Sequence, residues 1–282
     1  MEIILGQRSG FCYGVKNAVE KAYENTEKFE KIYCLGELVH NEQLVGSLEK
    51  RGMITVKDIS EVPNGEKVIF RSHGISKDIY ELAKQRNIEI IDLTCPTVLS
   101  LHKKVENYAK DGYIMLLGEI GHPECVATSS FAQYISTIEN EEDIAGAISN
   151  LKNRKLDKVY IVAQTTFSME KFDIISKKIV ELLTDKEVIV DKTICNATRL
   201  RQEETESIAK NVQMMIIIGG IKSANTRKLY DISVKNCENA ILVQTKDDID
   251  LGKVRKFNKI GIMAGASTPK KIVDDIIEYI TK

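Results

Sequence analysis

The chain repeats one pattern three times, and this internal repeat constrains its fold more than any other feature. Apolar runs end at Gly36, Gly118 and Gly219, within "IYCLGELVHNE", "IMLLGEIGHPE" and "MIIIGGIKSAN". A cysteine stands 24, 23 and 24 residues before these glycines, respectively. The three cysteines are Cys12, Cys95 and Cys195. Such near-equal spacing indicates three units of common design.

Each unit alternates strands with helices. The cysteines follow short apolar strands, in "EIILGQRSGFC", "EIIDLTC" and "EVIVDKTIC", and residues with helical spacing come after them. After Cys195 this spacing predicts a helix that starts late, near Thr205. Alternating strands and helices favour small, mainly parallel sheets. We therefore predict an α/β fold of three similar lobes in a pseudo-threefold arrangement. The predicted lobes are residues 12–94, 95–194 and 195–282, with a strand in residues 1–11 as a candidate to pack on the third lobe.

Polar side chains follow the predicted strands, where ligands of open α/β sheets bind. Most of them are hydrogen-bond donors, which suits an anion such as phosphate. These residues are His40, His73, His122, Thr165, Ser223, Asn225 and Ser267. Arg71 and Lys222 lie nearby in the sequence, either to raise the local potential or as solvated charges. Glu124 is the exception, and we expect it to handle protons, because a neighbouring phosphate would raise its pKa. The alternative for Glu124 is an ordinary acid in the first turn of a helix.

Three equivalent lobes around an axis would bring Cys12, Cys95 and Cys195 towards one point. A structural zinc ion takes four ligands, and a 4Fe–4S cluster usually takes four cysteines. Three thiolates would therefore leave one iron with an open position, which indicates chemistry. The spacing of the cysteines does not decide this on its own. We interpret the remaining cysteines as structural thiols: Cys34, Cys125 and Cys237.

The sequence resembles the IspH/LytB family, the 4-hydroxy-3-methylbut-2-enyl diphosphate reductases, over essentially its whole length. The shared motifs occur in family order: "GFCYGVKNAVEKA", "LGELVHN", "FRSHG", "DLTCPTV", "GHPE", "QTT", "CNATRLRQ", "IKSAN" and "GAST". The resemblance implies three α/β lobes around a central 4Fe–4S iron-sulfur cluster. It also implies an oxidoreductase at the last step of the non-mevalonate (MEP/DOXP) isoprenoid pathway. Its substrate would be (E)-4-hydroxy-3-methylbut-2-enyl diphosphate, and its products isopentenyl diphosphate and dimethylallyl diphosphate.

The resemblance also implies roles for individual residues. Cys12, Cys95 and Cys195 would bind the cluster, and the substrate hydroxyl would bind the open iron. Glu124, with Thr165 relaying, would be the catalytic proton donor. The diphosphate would be bound by His40, His73, His122, Ser223, Asn225 and Ser267. At Ala224 many members of the family carry Ser, so one possible phosphate contact is in doubt. His102 is interpreted as a helix residue without a role.

Composition and charge exclude several functions. The net charge is -1 and no long basic run occurs, so a nucleic-acid surface is not expected. The longest apolar run, Met214 to Ile218, is too short to span a membrane, and the start has no signal-peptide pattern. We expect a cytoplasmic monomer that receives electrons from a ferredoxin or a flavodoxin. The RNA-binding barrel that some family members append is not expected here.

Two other functions remain alternatives. A quinolinate synthase-like dehydratase shares the three-lobed plan and the three-cysteine cluster, but it acts on carboxylates, for which arginine-rich loops are expected. A protein that is not an enzyme, either an iron-sulfur sensor or a zinc-binding protein, is the second alternative. Metal analysis and an assay of reductase turnover would separate these alternatives.

Overall fold

The computed structural model describes residues 1–152 and 154–282, which form three four-stranded sheets with helices between the strands. All nine strand pairings described are parallel. Parallel neighbours need a crossover connection, and helices supply it here. The prediction of three similar α/β lobes with small parallel sheets is therefore confirmed.

The strands are short and rich in β-branched residues. The first lobe has β2 (Ile32–Leu35), β3 (Met53–Val56), β4 (Lys67–Phe70) and β5 (Glu89–Asp92). The second lobe has β6 (Gly112–Leu117), β7 (Ile135–Ile138), β8 (Lys158–Ala163) and β9 (Glu187–Val190). The third lobe has β1 (Glu2–Leu5), β10 (Met214–Ile218), β11 (Ala240–Val243) and β12 (Lys259–Ala264).

The helices connect these strands. In the first half of the chain they are α1 (Tyr13–Lys28), α2 (Glu42–Glu49), α3 (Lys77–Gln85), α4 (Pro96–Tyr108) and α5 (Pro123–Ser129). In the second half they are α6 (Ile144–Lys152), α7 (Met169–Leu182), α8 (Asn196–Ala209), α9 (Ala224–Asn236), α10 (Leu251–Val254) and α11 (Lys270–Thr281).

The strand order is the same in the three sheets. It runs β3-β2-β4-β5 in the first lobe, β7-β6-β8-β9 in the second and β11-β10-β12-β1 in the third. The edge strand of the third sheet comes from the start of the chain, with Glu2 opposite Lys259. In every sheet, the strand at this edge is the one that leads into a cysteine. The exact boundaries given above for the lobes stay a prediction.

The repeat extends to small details of capping. After β3, β7 and β11, a short 3-10 turn begins with a capping box, in which two side chains satisfy each other's backbone N–H groups. The capping pairs are Asp58 with Glu61, Asn140 with Asp143, and Thr245 with Asp248.

The chain forms two compact units. One contains Met1–Glu20, Val39–Arg51 and Asn196–Lys282, and thus the third sheet; the other contains Lys21–Leu38 and Gly52–Cys195, and thus the first two sheets. The central strands of each unit are buried, as parallel sheets covered by helices require. This burial leaves the strand ends as the places where polar loops can meet a ligand.

One prediction about the helices was wrong. α8 begins at Asn196, directly after the cysteine, and not near Thr205. Its first turns bury polar side chains, among them Arg201 and Gln202, so the apolar periodicity there is absent from the sequence. Within the part of the chain that the structure describes, no helix is both long and apolar enough to cross a membrane.

Candidate functional site

The three predicted cluster cysteines occupy equivalent positions. In each lobe the backbone N–H of the cysteine donates to a carbonyl in the loop after one strand of its sheet. These strands are β12, β4 and β8, and the accepting residue is the second one after the strand. The bonds are Cys12 to Ala266 (3.4 Å), Cys95 to Ser72 (3.0 Å) and Cys195 to Thr165 (3.0 Å). The loops after β4 and β8 also close with a backbone turn, in which the N–H of Gly74 donates to the carbonyl of Arg71 and the N–H of Phe167 donates to the carbonyl of Gln164. The repeat therefore holds at the level of single hydrogen bonds.

These cysteines are thiols rather than disulfides, and they are half-buried. Cys95 is the N-cap of α4, and Cys12 and Cys195 directly precede α1 and α8. The start of a helix favours a thiolate, because free N–H groups and the helix dipole stabilise negative charge there. Among the described residues, no three His, Cys, Asp or Glu side chains group closely enough to hold a single metal ion.

Glu124 and Thr165 form a buried pair in the unit that contains the second sheet. The Thr165 N–H donates to one carboxylate oxygen of Glu124 at 2.6 Å, and its hydroxyl donates to the other at 2.8 Å. Glu124 is only 2% exposed. Burial raises its pKa to about 7, although the two hydrogen bonds from Thr165 act in the opposite direction. A carboxyl group with such a pKa can hold a proton at neutral pH and release it.

His122 lies beside this pair as the N-cap of α5. Its Nδ1 accepts a hydrogen bond from the backbone N–H of Glu124 at 3.1 Å. An accepting Nδ1 places the proton of the neutral ring on Nε2, which is then the donor of the ring. The ring of His73 meets the ring of His122 edge to face, with 5.7 Å between centroids. The two histidines therefore lie together.

The loop that carries His73 is fixed from both sides. The Ser72 hydroxyl donates to the carbonyl of Leu38 at 3.0 Å. Gly74 has a positive φ of 83°, and an added Cβ would lie 2.6 Å from Cε1 of His102. His102 stacks on Phe131, with 4.4 Å between ring centroids. His102 thus packs behind the turn that carries His73.

The other unit carries its own group of predicted residues. The Ser267 hydroxyl donates to the carbonyl of His40 at 3.3 Å. Gly220 packs on the same carbonyl so closely that an added Cβ would lie 2.5 Å from it. Ser267 follows Ala266, whose carbonyl binds the N–H of Cys12. The Ser267 hydroxyl thus binds the backbone of His40, and the residue before Ser267 binds the backbone of Cys12. Lys222, which the sequence left as a candidate cation, pairs with Glu42 at 3.2 Å.

Ser223 and Asn225 lie at the start of α9. Ser223 is its N-cap, and its hydroxyl accepts the N–H of Thr226. Asn225 is 4% exposed, and neither its carboxamide oxygen nor its nitrogen has a hydrogen-bond partner in the described part of the chain. A buried amide without partners is costly, so this side chain fits a role in binding a polar ligand. Ala224, beside it, is buried.

Two residues near the site escaped residue-by-residue prediction, although motifs contained them. Gln164 is buried within "QTT", and Arg201 is 3% exposed within "CNATRLRQ". Arg201 donates to the carbonyls of Arg8 and Gly10 at 2.8 Å each, in the loop that leads to Cys12. Long-range bonds of this kind leave no periodic signal in a sequence.

The three lobes match, and in each a cysteine lies at the start of one helix. Together with the buried pair of Glu124 and Thr165, they define a class of triplicated α/β proteins with a polar site. The model of the family described as LytB protein matches residues 3–281. The chain therefore belongs to the LytB family.

Relatives and solved structures agree with this assignment. The chain is 38% identical to 4-hydroxy-3-methylbut-2-enyl diphosphate reductases of Clostridioides difficile and Caldanaerobacter subterraneus, with 99% of this chain and 99% and 96% of those proteins aligned. Its fold is similar to the E-1-hydroxy-2-methyl-but-2-enyl-4-diphosphate reductase from Plasmodium falciparum, with a TM-score of 0.90 and 32% identity, covering 100% of this chain and 88% of that chain. It is also similar to a solved (E)-4-hydroxy-3-methyl-but-2-enyl diphosphate reductase described as the terminal enzyme of the non-mevalonate pathway. That match has a TM-score of 0.71 and 37% identity, and it covers 100% of this chain and 99% of that chain.

Proposed function

We propose that the chain is an iron-sulfur oxidoreductase that reductively dehydroxylates (E)-4-hydroxy-3-methylbut-2-enyl diphosphate. Its products are isopentenyl diphosphate and dimethylallyl diphosphate. The reaction consumes two electrons and two protons and releases water. The observation that carries the proposal is the buried Glu124–Thr165 pair, because a protonated carboxyl group out of water suits protonation of a leaving hydroxyl. The family relatives favour this reductase over the quinolinate synthase-like dehydratase.

The cysteines fit a cluster of irons. Cys12, Cys95 and Cys195 are thiols rather than disulfides and lie at helix starts, and thiolates are the ligands that 4Fe–4S clusters take. Each cysteine of such a cluster binds a different iron, so its ligands need not crowd around one ion. Three cysteines would leave one iron open. When bound, the cluster supplies electrons and a Lewis-acidic position for the substrate hydroxyl.

The polar residues would bind and orient the diphosphate. Asn225 offers a buried donor whose partner the ligand would supply, and His122 offers Nε2–H. The remaining donors assigned to the diphosphate are His40, His73, Ser223 and Ser267. Hydrogen-bond donors that are fixed before binding stabilise an anion without the cost of reorganisation.

Glu124 would donate the proton that converts the leaving hydroxyl to water. Its oxygens contact both the hydroxyl and the N–H of Thr165, so the Thr165 hydroxyl can pass a proton between Glu124 and the substrate oxygen. Burial keeps bulk water away from this pair. The three lobes, residues 12–94, 95–194 and 195–282, would converge on the cluster, and a ferredoxin or flavodoxin would supply electrons to the cytoplasmic monomer.

The test is a reductase assay on protein purified and reconstituted without oxygen. With a chemical reductant and the allylic diphosphate, we expect the two isoprenoid diphosphates, identified by mass spectrometry against standards. Quinolinate synthase substrates should give no product. A protein that binds iron and sulfide but forms neither product would contradict the proposal and favour a sensor.

A further inference from the structure

Gln164 links three segments around the proposed proton donor. Its side-chain oxygen accepts the N–H of Glu119 at 3.0 Å, in the loop after β6. Its side-chain nitrogen donates to the hydroxyl of Thr166 at 3.1 Å, in the loop after β8. Gln164 is buried, and these bonds lie wholly inside the unit that contains the first two sheets. One amide therefore holds both loops that flank Glu124 and Thr165.

Cys125 supplies the third link, from α5. Its thiol donates to the same oxygen of Gln164 at 3.6 Å. The sulfur of Cys125 packs against Gly118, and a Cβ added at Gly118 would lie 2.5 Å from this sulfur. Burial raises the pKa of the Cys125 thiol, with the charge of Glu124 acting in the same direction, so the group stays a hydrogen-bond donor.

Two pairs of neighbours thus meet side by side. Glu124 contacts Thr165, and the next residue on α5, Cys125, contacts the preceding residue of the β8 loop, Gln164. Two contacts at successive positions, which point in different directions around a helix, constrain the rotation of α5 about its axis.

We propose that Cys125 and Gln164 are positioning residues that set the orientation of Glu124 towards Thr165 for the proton transfer. This inference rests on the proposed function. Cys125, which the sequence suggested was merely structural, thereby acts on the reaction through its neighbour, although it touches no substrate.

The test compares substitutions that keep volume but remove the hydrogen bonds. Cys125→Val removes the S–H donor, Gln164→Leu removes all the side-chain bonds, and Cys125→Ser restores a donor. Cys237→Val is the matched control, because Cys237 is also a buried thiol that donates to backbone carbonyls and belongs to the other compact unit. The Glu124 carboxyl band is followed by infrared spectroscopy against pH without substrate, and kcat and KM are measured on the reconstituted enzyme.

If the contact between Cys125 and Gln164 orients Glu124, its loss weakens the hydrogen bonds from Thr165 to the carboxylate. Those bonds favour the charged form, so we expect the pKa of Glu124 to rise by up to about one unit in Cys125→Val and by more in Gln164→Leu. We expect kcat to fall roughly fivefold in Cys125→Val with KM little changed, the effect of losing one modest hydrogen bond. Cys125→Ser should restore both values, and Cys237→Val should change neither.

An unchanged pKa of Glu124 and an unchanged kcat in Cys125→Val would overturn the inference. If Gln164→Leu does not fold, the three substitutions at Cys125 and Cys237 decide the matter. If the wild-type protein shows no reductase turnover, the proposed function fails, and the infrared titration still tests whether Cys125 and Gln164 orient Glu124.

Discussion

Both oxygens of the Glu124 carboxyl group are bound by one residue, Thr165, through its N–H at 2.6 Å and its hydroxyl at 2.8 Å. The pair joins the start of α5 to the loop after β8, and the two residues are 41 positions apart in sequence. The backbone carbonyl of Thr165 accepts the N–H of Cys195. The proposed proton donor and one proposed cluster ligand are therefore held by the same residue.

Glu124→Gln should separate catalysis from folding. The substitution keeps the shape and removes the acid, so we expect turnover to fall at least about 100-fold with the cluster and diphosphate binding retained. The pKa of Glu124 in the folded state, about 7, lies above its ordinary value of 4.5. Its contribution to stability is therefore fully present below about pH 4.5 and lost as pH rises through about 7.

The Glu124→Gln variant lacks the titrating carboxyl group, so it does not lose this stability as pH rises. Denaturant unfolding should therefore find it more stable than wild type above pH 8, by on the order of 3 kcal/mol, and similar at pH 4. Glu106→Gln, at an exposed ion pair with Lys77, is the control. Near-normal turnover in Glu124→Gln would remove this residue from the mechanism.

Asn225→Leu should weaken diphosphate binding and stabilise the folded protein. The carboxamide is buried without partners, and leaving such atoms unpaired costs about 1–3 kcal/mol, so leucine should raise the free energy of unfolding. We expect the Kd for inorganic diphosphate, measured by calorimetry, to rise at least about tenfold. Asn236→Leu on the same helix is the control, because its amide already bonds to the carbonyl of Ile232. Destabilisation of Asn225→Leu with unchanged binding would contradict its role.

His102→Phe should stabilise the protein in mild acid. His102 is 3% exposed, neither ring nitrogen has a partner among the described residues, and burial lowers its pKa to about 4. A folded pKa below the ordinary 6.5 means that stability is lost as pH falls from about 6.5 to about 4.

That loss amounts to on the order of 3 kcal/mol, and phenylalanine should abolish it. Thermal unfolding from pH 4 to pH 8 measures the difference between the two proteins. If the stability of the wild-type protein and of His102→Phe changes equally with pH, His102 is not the group responsible.

Arg201→Met should weaken cluster loading. Arg201 donates to the carbonyls of Arg8 and Gly10 just before Cys12, and its loss removes a donor from one part-buried and one buried carbonyl. We expect less iron per chain after reconstitution, with a lower visible absorbance, than in Arg199→Met. Arg199 lies on the same helix but pairs with Glu203 at the surface, which makes it a matched control. Full iron loading in Arg201→Met would show that this loop needs no such support.

The lobes and the site were predictable from the sequence to different degrees. The repeat was visible because buried parallel strands need runs of Val and Ile, and because the cysteines recur at matching distances from the glycines that follow. The start of α8 was not visible, because that helix buries Arg201 and Gln202 where apolar residues would mark a face. Gln164 and Arg201 act through contacts 39 and 193 residues away, and no local pattern encodes such contacts.

We propose that Cys12, Cys95 and Cys195 together bind one 4Fe–4S cluster with one open iron. Iron and sulfide counting on anaerobically reconstituted protein, with Mössbauer spectroscopy, tests this proposal. We expect about four irons and four sulfides per chain, with one iron distinct from the others, and loss of the cluster in Cys12→Ala, Cys95→Ala and Cys195→Ala but not in Cys34→Ala. An intact cluster in any of the first three variants, or zinc in place of iron, would contradict it.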